Sequence, residues 1–126
     1  NEEACGELQT IASSVDERWR AFCKPEEIGL SLGKDASALE YLQEGACLVT
    51  LFVPEEEWAQ NRDERIESFR KALWQKTINA NITVYTLPEE KIAGLTGENY
   101  TEHVYGSGSG RFVMDEEGNF AVSKWR

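Results

Sequence analysis

The side chains in this sequence best suited to catalysis are its only histidine, His103, and the cysteines Cys5, Cys23 and Cys47. Imidazole exchanges protons near neutral pH, and a cysteine thiolate is a strong nucleophile. Sequence spacing assigns no nucleophile to His103, which is interpreted as a surface or edge histidine. An odd number of cysteines matches neither a disulfide framework nor a metal-ligand spacing. We therefore expect no catalytic residue, no metal site and no cofactor.

The stretch most similar to a binding motif is the glycine–serine run GSGSG at 106–110. A Walker loop continues with Lys-Ser or Lys-Thr, where this chain has Arg111 and Phe112. A dinucleotide-binding loop opens a helix, whereas the residues after this run alternate like a strand. The run is interpreted as a flexible connector to a C-terminal hairpin, residues 111–126. Its regular alternation is also typical of a laboratory-made linker, and both interpretations stay open.

The charge balance favours a protein partner over a nucleic acid. There are 13 Lys and Arg residues against 23 Asp and Glu residues, a formal charge of -10. Such a surface repels phosphate backbones and anionic lipid headgroups. Acidic clusters also keep a protein in solution, and nucleic-acid mimicry is a further interpretation. The sharper hypothesis is an acidic surface that steers and selects a basic protein.

Aromatic side chains at the ends of elements supply candidate anchors for that partner, because Trp and Tyr contribute most binding energy where they are desolvated. The alternative is that they close the rim of the core. The candidate partner-binding residues are Glu55, Glu56, Trp58, Asp63, Trp74, Tyr100, Tyr105, Asp115 and Glu116.

The elements that must position these residues begin with a helix predicted from Cys5 to Cys23. Its apolar residues recur every three or four positions, as on one side of an amphipathic helix. On one such helix Cys5 and Cys23 would lie about 27 Å apart, too far for a disulfide. Any bridge is therefore expected to involve Cys47, with either of the other two cysteines.

A βαβ unit is predicted next in the chain. A short helix is expected at 35–45, then a buried strand at 46–53, a long helix at 54–77 and a strand at 81–87. Pro54 suits the first helical position, and the two strands should be parallel with a right-handed crossover. A helical turn is expected at 88–93 and a strand at 100–105.

The C-terminal hairpin pairs strands at 111–114 and 119–125 around a type I turn, with Gly118 in the left-handed conformation. Two Asn-x-Thr triplets begin at Asn81 and Asn99, and they would matter only in a eukaryotic secretory route. No apolar run is long enough to span a membrane. The compartment, cytoplasmic or exported after loss of a signal, and the oligomeric state stay open.

The sequence thus predicts one α+β domain over residues 1–126, with a mixed sheet of about five strands and helices mainly on one face. The predicted function is a non-enzymatic acidic module that binds a basic protein, as an inhibitor, an immunity-like protein or an assembly adaptor. The alternative is a small-molecule binder or small enzyme. Its pocket would lie between the sheet and the first helix, with Glu102, His103 and Tyr105 near its mouth.

Overall fold

The computed structural model describes residues 2–23, 47–104 and 108–125, and within them the side chains of 6–23, 47–104 and 108–121. The elements are α1 (Glu2–Val15), β1 (Arg20–Cys23), β2 (Cys47–Pro54), α2 (Glu55–Gln75), β3 (Ala80–Leu87), α3 (Glu89–Ala93), a 3-10 helix (Tyr100–His103), β4 (Gly110–Met114) and β5 (Phe120–Trp125). The helix predicted at 35–45 lies outside the described residues.

The strands form one mixed sheet whose spatial order, β1-β2-β3-β4-β5, follows the order of the chain. β2 and β3 are parallel, with Cys47 opposite Ala80 and Pro54 opposite Leu87. The other neighbouring pairs are antiparallel. Two parallel strands require a crossover connection, which α2 supplies. The predicted α+β class and the βαβ unit are confirmed.

The two faces of the sheet bury separate apolar clusters, because successive side chains of a strand point to opposite faces. On one face, Val49 and Leu51 of β2 pack with Phe69 and Leu73 of α2 and with Leu8 of α1. On the other face, the cluster consists of Phe52, Tyr85, Leu87, Ile92, Leu95 and Tyr100. The two long helices therefore share one face, while α3 and the 3-10 helix cover part of the other.

The first helix is shorter than predicted, because the chain reverses after Val15. The Asp16 side chain accepts a hydrogen bond from the Arg18 backbone N–H at 2.9 Å, which stabilises the turn. Trp19 then enters the core edge-on to Phe69, with ring centroids 5.9 Å apart. Ala21 and the other residues of β1 pair antiparallel with β2. The prediction of one helix from Cys5 to Cys23 is therefore wrong beyond Val15.

The reversal also removes the argument from helix length against a disulfide between Cys5 and Cys23. Cys23 is disulfide-bonded in the structure, whereas Cys47 is a buried free thiol. The expectation that any bridge would use Cys47 is therefore wrong. Burial raises the pKa of the Cys47 thiol, which makes the reactive thiolate scarcer at neutral pH.

The strand predicted at 100–105 is also wrong, since Tyr100–His103 form a 3-10 helix. The Asn99 side chain holds the preceding turn, because its amide oxygen accepts from the Thr96 N–H at 2.8 Å and its amide nitrogen donates to the Gly94 carbonyl at 3.1 Å. The predicted helical turn appears as α3, and Gly118 has a φ of 82° in the β4–β5 turn. Those two local predictions are confirmed.

Candidate functional site

An acidic row runs along the exposed side of α2. Glu56, Asp63, Glu67 and Trp74 follow one another at spacings of seven, four and seven residues. Spacings of this kind place side chains on one side of a helix of 3.6 residues per turn. From Glu56 to Trp74 the row spans about 27 Å at 1.5 Å per residue. These four residues are called the acidic row below.

Trp74 is the exposed end of this row. Its relative exposure is 37%, and the only other large apolar side chain classed as exposed in the described ranges is Val104. One side of the indole is covered by the β4–β5 turn, because a β-carbon built on Gly118 would lie 2.3 Å from the Trp74 ring. Arg70 ties the same turn to α2 by donating a hydrogen bond to the Gly118 carbonyl.

The β4–β5 turn, which covers one side of Trp74, carries further acidic residues. Asp115 shapes the turn, since its side chain accepts from the N–H groups of Glu117 and Asn119 at 2.8 and 3.0 Å. Glu116 and Glu117, which precede Gly118, are exposed. The ring of Trp74 is therefore covered on one side by an acidic turn. On α2 the residues one helical turn before it are Arg70 and Lys71, and the carboxylates of the acidic row lie beyond them.

The nine sequence-predicted partner-binding residues fall into different environments. Glu56, Asp63 and Trp74 lie in the acidic row, Asp115 and Glu116 lie in the adjoining turn, and Glu55 is exposed at the start of α2. Trp58 and Tyr100 do not supply exposed anchors, because they are only 8% and 4% exposed. Trp58 packs edge-on to Trp19, and Tyr100 stacks on Phe22. Tyr105 lies outside the described residues.

A network of ion pairs lies beyond the carboxyl ends of β2 and β3. The carboxylate of Asp16 is 6% exposed and is paired with both Arg18 and Arg65. Arg18 also contacts Glu57 at 2.7 Å and Glu89 at 3.7 Å. These contacts join the turn after α1 to the first halves of α2 and α3. The hydrogen bond from Arg18 lowers the pKa of Asp16 to about 2.

A polar groove of about 400 Å³ lies between α1 and α2, beside this network. Its polar walls are Ser14 from α1 and Asn61, Glu64, Arg65 and Ser68 from α2. Sequence reasoning missed this groove, because serines and asparagines on two helices about 50 residues apart form no local motif. The inward three-and-four spacing of α2 was the only sequence signal that α2 would meet another helix.

The structure places His103 away from α1, the helix that the alternative pocket would include. His103 is half-buried in the 3-10 helix, which packs through Tyr100 on the face opposite to α1. A pocket formed by the sheet, α1 and His103 together is thus incompatible with the observed layers.

A separate feature is the amide of Asn81. Asn81 is 1% exposed, and neither amide atom has a hydrogen-bond partner among the described residues.

The part of the Gly-Ser run that the structure describes lies against β3. Ser109 donates its backbone N–H to the Val84 carbonyl at 2.7 Å, and its hydroxyl lies 3.1 Å from that of Thr86. Gly108 has a φ of 71°, and a β-carbon there would be 2.5 Å from the Val84 oxygen. Whether the run acts as a connector stays a prediction.

Within the described ranges, no group of three or more His, Cys, Asp or Glu side chains could hold a metal ion. In the same ranges, no helix combines the length and apolar composition needed to cross a bilayer. Comparisons with models of protein families, with curated protein sequences and with solved structures give no match to this chain.

Proposed function

We propose that the protein is a non-enzymatic binding module that engages a basic protein through the acidic row and the adjoining β4–β5 turn. The observation that carries this proposal is the position of Trp74, an exposed indole at the end of the acidic row that packs against the acidic β4–β5 turn. Exposed aromatic rings are typical anchors of protein interfaces, since a large rigid surface is desolvated at little entropic cost.

Charge supports a basic partner in particular. The chain has a formal charge of -10, and Glu56, Asp63, Glu116 and Glu117 are all exposed beside or in line with Trp74. Complementary potentials speed the encounter of two proteins and disfavour partners of like charge. An inhibitor or immunity-like protein that covers a basic toxin or enzyme fits this surface, as does an adaptor that recruits a basic subunit.

The test is capture of a basic partner by the immobilised protein from an extract of the cells that make it, followed by affinity measurement with the purified partner. Binding should weaken steeply between low and moderate salt, because the screening length falls from about 30 Å at 0.01 M to about 8 Å at 0.15 M. Trp74→Ala should weaken binding about 30-fold, the equivalent of about 2 kcal/mol for an anchor residue.

The matched charge variants are Asp63→Lys, in the acidic row, and Glu98→Lys, in the exposed turn before the 3-10 helix. Both change the net charge by the same amount, so only the first should reduce affinity beyond the general electrostatic effect. Equal affinities of the Trp74→Ala variant and the wild type would disprove this site. If Asp63→Lys and Glu98→Lys lose the same amount of affinity, the partner is attracted by the net charge of the protein and not by the acidic row.

A further inference from the structure

We infer that the groove between α1 and α2 binds the guanidinium or ammonium group of an arginine or lysine side chain presented by the partner. This inference rests on the proposed function and adds a second contact point on α2. The groove holds about 400 Å³ and is open to solvent between the two helices. The ligand it can bind depends on the hydrogen-bond donors and acceptors in its walls that are not already used within the protein.

The two serines of the groove present acceptors. The Ser14 hydroxyl donates its single hydrogen to the Ile11 carbonyl at 2.6 Å, and the Ser68 hydroxyl donates to the Glu64 carbonyl at 3.1 Å. A serine hydroxyl has one hydrogen and two lone pairs, so each retains acceptor capacity only. A ligand that donates hydrogen bonds can satisfy both.

The carboxylate of Glu64 strengthens this preference. Glu64 is exposed at the rim of the groove and forms no ion pair with any residue in the described ranges. The Asn61 side chain, also at the groove, can turn its amide oxygen inward. A guanidinium offers five N–H donors and an ammonium three, which matches a wall of acceptors.

Among the described residues that line the groove, Arg65 is the one cation, and its charge is already balanced. Its guanidinium pairs with the largely covered carboxylate of Asp16, which also binds Arg18. The network contains two arginines and three carboxylates, those of Asp16, Glu57 and Glu89, so its formal charge is -1. Glu64 brings the local charge to -2. A cation is therefore favoured over an anion here.

Two apolar side chains in the groove favour a lysine or arginine side chain over a metal ion or a free ammonium ion. Val15 and Ala72 line the same groove and are half-buried against the helix-side core. Lysine and arginine carry methylene stems that pack on such apolar surface while the charged group stays hydrated. A bare metal ion or ammonium ion gains nothing from these contacts.

The position of the groove on α2 fits a single partner that also reaches Trp74. At about 100° per residue, Glu64 lies between the acidic row and the groove residues Arg65 and Ser68 around the helix axis. A partner lying across the exposed ridge of α2 can place one basic side chain in the groove while another part covers the indole of Trp74.

The test uses no partner protein, so its outcome is independent of the capture experiment. The 15N-labelled protein is titrated at low salt with N-acetyl-arginine amide and, separately, with N-acetyl-citrulline amide, its neutral counterpart of nearly equal shape. The arginine probe should give saturable shifts at the backbone amides of Ser14, Glu64 and Ser68. The citrulline probe should give none.

Glu64→Gln should weaken the arginine probe about threefold, as expected for an exposed ion pair. Glu56→Gln removes the same charge from the acidic row and should leave this affinity unchanged. Ser68→Leu, which fills the groove without changing charge, should abolish the shifts. The inference is overturned by equal binding of the two probes, by shifts centred on Trp74, or by an unchanged affinity in Glu64→Gln.

Discussion

The indole of Trp74 covers Gly118 so closely that a β-carbon on that glycine would lie 2.3 Å from the ring. Gly118 also has a φ of 82°, a conformation that side chains other than glycine rarely adopt. Gly118→Ala should therefore lower the unfolding free energy by about 1–3 kcal/mol, through backbone strain and displacement of the ring. Urea unfolding followed by far-UV circular dichroism measures this loss.

Gly97→Ala is the control for that substitution, because nothing lies within 4 Å of a β-carbon built at Gly97. It should change the unfolding free energy by about 0.5 kcal/mol or less. If the two variants are equally stable, the close contact between α2 and the β4–β5 turn is absent in solution. The carboxylates of the turn would then not be held beside Trp74.

A second prediction concerns acid stability. The pKa of Asp16 is lowered from 3.8 to about 2 in the folded protein, chiefly by the hydrogen bond from Arg18. A carboxyl group with a depressed folded-state pKa stabilises the protein above its unfolded-state pKa, and this stability is lost as the pH falls toward the folded-state value. Asp16→Asn should therefore reduce the unfolding free energy by about 2 kcal/mol at neutral pH.

The difference between wild type and Asp16→Asn should close between about pH 4 and pH 2, where the wild-type carboxylate becomes protonated. Urea unfolding of both proteins at pH 7, 4.5, 3 and 2 measures this difference in unfolding free energy. Asp63→Asn removes an exposed carboxylate of α2 and serves as the control, with little change at any pH. A pH-independent difference for Asp16→Asn would show that packing, and not the ion pairs, governs this position.

A third prediction tests the buried amide of Asn81. Its side chain has no hydrogen-bond partner among the described residues, and its neighbours across the sheet are Leu48 and Val113. Burying an amide without partners costs about 1–3 kcal/mol. Asn81→Leu should therefore stabilise the protein by roughly that amount in urea unfolding.

Asn99→Leu is the matched comparison, since it removes an amide that bonds to Thr96 and Gly94. It should destabilise the protein by about 1–2 kcal/mol. Destabilisation by Asn81→Leu as well would mean that the buried amide has a partner in solution. Both substitutions also remove an Asn-x-Thr triplet, so the comparison belongs in protein made without glycosylation.

The fourth prediction concerns the thiols. Cys47 is buried and free, and Cys23 is disulfide-bonded, while the sequence holds one further cysteine, Cys5. Iodoacetamide should add no group to the native protein, one group after denaturation without reduction, and three after denaturation with reduction. Intact-mass measurement counts the adducts. Three adducts without reduction, or rapid labelling of the native protein, would contradict the assigned cysteine states.

The central elements could be predicted from sequence because their signals are local and agree with one another. β2 is a continuous apolar run, and α2 has an acidic first turn and an inward row of Ile66, Phe69 and Leu73. In such segments propensity, capping charge and burial all favour the same structure. Their observed bounds differ from the predicted ones by one or two residues.

The reversal after α1 could not be predicted because its cause is a side chain and not a break in the pattern. Trp19 and Phe22 continue the three-and-four spacing of α1, and no glycine or proline separates them from it. The turn depends on Asp16, which binds the Arg18 backbone and side chain as well as Arg65 from α2. A contact between residues 49 positions apart leaves no trace in local periodicity.

The sequence predicts the acidic character of the candidate site, but it predicts only some of its exposed aromatic residues. Asp63, Trp74 and Glu116 were identified from their positions at element ends and in acidic clusters. Trp58 carries the same sequence signals as Trp74, but it faces Trp19 because it lies on the inward side of α2. Whether an aromatic residue near a helix end is buried depends on the neighbouring element, which sequence spacing alone does not supply.

Among the described strands, each pairs only with those adjacent to it in the chain. None of these described strands has to be inserted between two that were made earlier. During synthesis, each newly emerged strand can pair with the open edge of the strand made before it. The strands are therefore synthesised in the same order in which they lie in the sheet. A nascent chain of this topology needs no earlier pairing to come apart before the next strand joins.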